Sequence, residues 1–228
     1  MTKIFIIILS IALIISGFFL GPKVSKLYKL SKLYDEKRIA NNFINIDKLF
    51  AVSEPIPSAE IPYTFNMKDF ELPKTYFFED KEQDLASALE HFKTDGLIVL
   101  HQGDMLYENY WNNNSVNSKH IAFSVSKSFL SALIGIAVHD GLIDSIEDPI
   151  TKYLPDFNGT GYEGVSIKNI LQMSSGVQFN EDYADPQSDI NKFGRAVAKG
   201  TSFRDFSKTL KQSREPGTYH HYVSIDTQ

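Results

Sequence analysis

The chain has 228 residues, 43% hydrophobic and 22% charged, with a formal net charge of −5. That is ordinary globular composition with material for one sizeable core, and the mildly acidic balance gives no electrostatic footprint for nucleic acid. The absence of cysteine excludes disulfides, thiolate nucleophiles, iron–sulfur clusters and cysteine-ligated zinc.

The first element is a run of 19 uncharged residues between Lys3 and Lys23, most of them Ile, Leu or Phe. A membrane helix needs roughly 17–25 such residues, and the apolar part of a cleavable leader only about 7–15. No small-x-small cleavage site follows. Residues 1–22 therefore read as an uncleaved transmembrane signal anchor, meeting the bilayer through residues 4–22, with a slowly cleaved signal peptide as the second choice. Lys23, Lys26, Lys29, Lys32, Lys37 and Arg38 follow the span, and by the positive-inside rule they argue for a cytoplasmic body.

Residues 23–80 read as a basic juxtamembrane segment followed by a linker. Leu27, Leu30, Leu33 and Tyr34 recur at helical spacing among lysines, a pattern that suits either an anionic membrane surface or a plain solvated helix. Residues 51–75 hold four prolines and little periodicity, which predicts extended chain. An amphipathic helix is expected over 84–96, with Leu85, Leu89 and Phe92 on one face. A hairpin is expected over 96–111 around Gln102-Gly103-Asp104. From Ile121 to Val138 nearly every position is apolar or small except Lys127, which predicts a buried helix carrying one cation. "SIKNILQMSSGV" (166–177) predicts a further helix with Ser166 as its cap, and "EPGTYHHYVSIDTQ" a turn followed by a strand.

Ser124 and Lys127 are spaced i, i+3, so on a helix they share a face. Burial would strip the lysine of hydration and favour its neutral, basic form. Such a base can activate a serine hydroxyl, and a helix N-terminus would favour developing negative charge. This Ser-x-x-Lys is the only one in the chain. A lysine snorkelling from a core helix is the alternative reading of the spacing. His220 and His221 are adjacent, so on a strand they face opposite ways and do not chelate one metal; no metal and no cofactor is expected.

The surroundings of Ser124 resemble the serine beta-lactamase and penicillin-binding-protein superfamily, in its class C and esterase-like branch. The resemblance rests on Ser124-Val125-Ser126-Lys127, the apolar helix leading into "HDGLIDSIEDPITKYLPDF", the "VSIKNILQMSSGV" segment, and the Pro-Gly-Thr turn of "EPGTYHHYVS", four motifs in the family's order. It implies an α+β, beta-lactamase-like domain over 81–228: an antiparallel sheet with helices plus an all-α subdomain. It further implies that Ser124 is the acylated nucleophile, Lys127 its general base, and Tyr222 the tyrosine that relays a proton to the leaving group. Two other Tyr-x-Asn matches, at Tyr107 and Tyr110, precede the nucleophile and fall on the hairpin.

Two departures from the pattern stand out. Ser224 replaces the asparagine of Tyr-x-Asn, and Met173 replaces a common histidine. With "GVQFNEDYADP" (176–186), they are more similar to the branch that contains 6-aminohexanoate-dimer hydrolase, in which a loop tyrosine closes over an amide substrate. The resemblance implies that role for Tyr183, with a packing tyrosine on a surface loop as the alternative, and implies that Ser224 joins it in binding substrate. The family's third motif, on a C-terminal strand, does not occur before Gln228, so the resemblance implies a domain incomplete at its C-terminus, and inactive and poorly folded alone. The expected protein is thus a single-pass membrane serine hydrolase of a small amide or ester, its catalytic domain on the periplasmic or extracytoplasmic side. The alternatives are a peptidoglycan peptidase or beta-lactamase, and a non-catalytic beta-lactamase-like module.

Overall fold

Two short turns set the architecture of the N-terminal half. Gln102 and Gly103, at φ +50° and +86°, join strands β4 (Gly96–His101) and β5 (Asp104–Tyr110) in antiparallel register with His101 opposite Asp104. Positive φ at both loop positions matches the right-handed twist of the flanking strands, and glycine takes it without strain. Glu79 and Asp80, at φ +49° and +57°, do the same between β2 (Thr75–Phe78) and β3 (Lys81–Asp84).

The computed structural model describes residues 21, 24–25, 28–29, 31–48, 56–57 and 59–228. These fall into two units, Met1–Ile121 and Ala122–Gln228. In the first, α1 (Ile39–Ile44) precedes β1 (Asn66–Met67), which lies parallel to β5 and gives a sheet of order β1-β5-β4. The Asp84 carboxylate accepts from the Ser87 N–H at 2.7 Å and so caps α2 (Leu85–His91). Phe92, expected on the packed face of that helix, is instead its exposed C-cap residue. Strands β1, β2 and β3 fall in and around the segment expected to be a linker.

The second unit is built on short helices and irregular chain. A 3-10 turn (Phe123–Val125) leads into α3 (Ser126–His139). Two further 3-10 turns, Ile150–Lys152 and Pro155–Phe157, precede α4 (Ile167–Leu171), α5 (Asp189–Ala198) and α6 (Phe203–Ser207). Each of the last three helices begins at a serine: Ser166, Ser188 and Ser202 accept from the N–H groups of Asn169, Asn191 and Asp205, satisfying donors that a helix start leaves unpaired. Phe157, Tyr162, Val165, Val177, Phe179, Leu210, Val223 and Ile225 form the core.

The expected burial of the apolar helix does not hold. No residue of α3 is buried, and Phe129, Leu133 and Ile136 are 68%, 61% and 55% exposed. The unit's core is assembled from residues 150–225 without it. Lys127 is accordingly half-buried. The helix expected at 166–177 is shorter than predicted, and the strand expected after Gly217 is irregular chain ending in a 3-10 turn, Ser224–Thr227. Among the described residues no helix is long and apolar enough to cross a membrane. The span expected at residues 1–22 lies outside the described residues apart from Gly21.

Candidate active site

The core places the site through one short piece of chain. Val223 is extended (φ −139°, ψ 120°), so its side chain and those of its neighbours point to opposite sides. Val223 and Ile225 are 1% and 3% exposed and anchor the segment in the core, whereas Tyr222 and Ser224 face Ser124 and Lys127. Two bonds fix the approach to that segment. The Gly217 N–H donates to the Ser174 carbonyl at 2.8 Å, and the His221 N–H to the Met173 carbonyl at 2.7 Å. Met173, standing in place of the expected histidine, takes φ +54° and turns its carbonyl to that use.

Below the segment, the Asp226 carboxylate accepts from Tyr162 Oη and Ser175 Oγ, both at 3.0 Å. Burial pushes this carboxyl up to about 6, although both hydrogen bonds act against the shift. Its second oxygen, Oδ2, is buried with no hydrogen-bond partner.

Ser124 lies in the 3-10 turn ahead of α3. The residue before it, Phe123, holds φ +42°, a left-handed conformation that strains a bulky L-residue and is found at functional turns. Two side chains converge on its hydroxyl. Lys127 Nζ donates to Ser124 Oγ at 3.0 Å, Tyr222 Oη donates to it at 2.8 Å, and Lys127 Nζ also reaches Ser224 Oγ at 3.3 Å. The ammonium sits 5.2 Å from the centre of the Tyr222 ring. The bond to Ser124 and the nearby Lys127 hold the Tyr222 phenol below the ordinary tyrosine range. Ser126, the nearest rival nucleophile, donates its proton to the Phe123 carbonyl at 2.6 Å.

This arrangement can transfer a proton. When Lys127 or Tyr222 has given up its own proton, the same contact runs in reverse and removes the proton of Ser124. Among the described residues no group of His, Asp and Glu is arranged to hold a metal ion.

Ser124, Lys127, Tyr222 and Ser224, separated by almost 100 residues of chain, thus meet in one place. Tyr183 reaches it indirectly: its hydroxyl donates to Glu181 Oε1 at 2.9 Å. Partial burial and that carboxylate push its phenol up to about 12. Glu181 itself was not anticipated. Its Oε1 accepts from Ser224 Oγ at 2.6 Å and its Oε2 from the Ser224 N–H at 2.5 Å. The only sequence signal was its place two residues before Tyr183.

Residues 82–226 match the family model described as beta-lactamase. The chain belongs to the beta-lactamase family. It is 34% identical, over 151 residues, to a 6-aminohexanoate-dimer hydrolase from Paenarthrobacter ureafaciens, a match covering 63% of this chain and 38% of the relative. It also resembles the solved structure of a Bacillus anthracis protein named as a candidate 6-aminohexanoate-dimer hydrolase, with a TM-score of 0.74 and 18% identity. That likeness covers 86% of this chain and 54% of the other, and shows the shared fold. The chain therefore spans between a third and about half the length of the relatives it matches.

Proposed function

We propose that this protein is a membrane-anchored serine hydrolase that cleaves an amide or ester bond through an acyl-enzyme on Ser124. The observation that carries the reading is the meeting of Lys127 Nζ and Tyr222 Oη on one serine oxygen, at 3.0 and 2.8 Å. Ser124 Oγ attacks the substrate carbonyl as its proton passes to the Lys127–Tyr222 pair. The tetrahedral oxyanion collapses, Tyr222 returns that proton to the departing nitrogen or oxygen, and the acyl group stays on Ser124. A water molecule, deprotonated by the same pair, then releases the acid and restores the hydroxyl.

The likeness to the 6-aminohexanoate-dimer hydrolase supports a linear amide or ester substrate. The loop carrying Tyr183 supports it too, since a phenol there can close over an extended chain. The uncharged run at 4–22 supports single-pass anchoring; placement of the catalytic unit on the extracytoplasmic side rests on the family resemblance, against the six basic residues that follow the run.

The test is labelling of the full chain with a fluorophosphonate probe, read by peptide mass spectrometry. The probe is expected on Ser124 and absent from Ser124→Ala. Labelling that survives this substitution, or that falls on Ser126 or Ser128, overturns the assignment. Retention in the membrane pellet after carbonate washing is expected of the anchored protein, and release as a soluble species beginning near residue 20 refutes the anchor.

A further inference from the structure

Lys127 spends its two hydrogen bonds on hydroxyls, those of Ser124 and Ser224. A hydroxyl offers one proton and two lone pairs, so which way Ser224 points decides whether it can accept from Lys127 at all. Here the Ser224 proton is committed to Glu181 Oε1 at 2.6 Å. That leaves the lone pairs free for Nζ. The second carboxylate oxygen grips the Ser224 backbone N–H at 2.5 Å, so both the rotamer and the main chain of Ser224 are set by one side chain. The same Oε1 also accepts from Tyr183 at 2.9 Å. With both oxygens engaged by the protein, Glu181 is not placed to bind substrate or to act as a base.

We infer that Glu181 is the positioning residue of the site: acting through Ser224, it holds Lys127 on Ser124, and through Tyr183 it ties the 178–186 loop to the same point. The inference rests on the serine-hydrolase reading. It explains why serine suffices at position 224. The hydroxyl acts as an adaptor between a carboxylate on one side and an ammonium on the other, and hydrogen bonds to charged groups are the strong ones. It also gives the Lys127 ammonium a counter-charge one hydroxyl away. Closure of the loop over a substrate would then be felt at the base through a single carboxylate.

The experiment is saturation labelling of Ser124 by a fluorophosphonate in the full chain, comparing wild type, Glu181→Gln, Ser224→Ala and the double variant, with thermal unfolding measured in parallel. Each single variant is expected to lower the limiting labelling rate about tenfold, the loss of one charge-assisted hydrogen bond near the reacting atoms. The concentration for half-saturation should stay within about twofold of wild type, and the double variant should lose no more than either single one, because both cut the same link. A wild-type rate in Glu181→Gln, an effect on half-saturation alone, or losses that multiply to about a hundredfold in the double variant would each overturn the inference while leaving the hydrolase reading intact. If Glu181→Gln unfolds, Ser224→Ala is judged by the same criteria, and a wild-type rate there overturns it equally. A wild-type chain that takes no probe at Ser124 refutes the hydrolase reading, and the inference with it.

Discussion

Asp226 offers a direct test of the forces that hold the active-site segment in place. Its carboxyl is 8% exposed, accepts from Tyr162 and Ser175 through one oxygen, and leaves the other unpartnered. Burial, with a smaller contribution from the Glu181 charge, raises it from an ordinary 3.8 to about 6. Between those two values the folded chain holds a proton that the unfolded chain has lost, so stability falls as pH rises through this window and levels off above it. At about 1.4 kcal/mol for each tenfold change in proton affinity, the full cost is roughly 3 kcal/mol. Asp226→Asn keeps an acceptor for Tyr162 and Ser175 and has no charge to lose. Its new amide N–H group takes the unpartnered position, a penalty that is the same at every pH. The stability of the variant relative to wild type should therefore climb by about 3 kcal/mol between pH ~4 and pH ~7. Urea unfolding of both proteins across that range, followed by circular dichroism, measures the difference. A difference that stays flat with pH refutes the idea that a buried carboxylate is being charged there.

Glycine positions give a paired test of backbone strain. At Gly176 (φ +76°) a Cβ would stand 2.2 Å from the Arg214 carbonyl oxygen, whereas at Gly194, inside α5, it would meet nothing within 4 Å. Gly176→Ala should cost about 3 kcal/mol or more, and Gly194→Ala should stabilise by about 0.5–1 kcal/mol; similar effects in thermal unfolding would refute both readings. For Tyr222, ultraviolet titration of tyrosinate should show a component below the ordinary tyrosine range that Tyr222→Phe removes. Ser124→Ala and Lys127→Met should each move that component upward, and a titration indifferent to both would show that these neighbours do not set it.

What the sequence disclosed and what it concealed divide along the reach of each interaction. Ser124 and Lys127 were legible because a helical i, i+3 spacing is a local fact. The Gln102-Gly103 turn was legible because glycine carries its own conformational preference, and Ser166 because a cap needs only the next three residues. Glu181 could not be read, since its partner Ser224 lies 43 residues away and no spacing rule joins a loop carboxylate to a hydroxyl that distant. The β2–β3 hairpin was missed because its Glu79-Asp80 turn lacks glycine and asparagine and its strands are mostly exposed, so neither turn chemistry nor alternation announced it. Tyr222 was placed by the motif around it, while its irregular backbone was not foreseen. Alternating burial at 222–225 looks like a strand in sequence even where no partner strand pairs with it.

The interleaving of Tyr222 and Ser224 with Val223 and Ile225 means that the segment bearing the proposed catalytic groups and the core are one object, and loosening either releases both. Breathing of this stretch, measured as amide hydrogen exchange at Val223, should then run in step with loss of Ser124 reactivity on warming. The protein would carry its own thermometer: reactivity would fade with the first local opening, ahead of global melting. A substitution as mild as Val223→Ala, touching no reacting atom, would lower the temperature at which that happens.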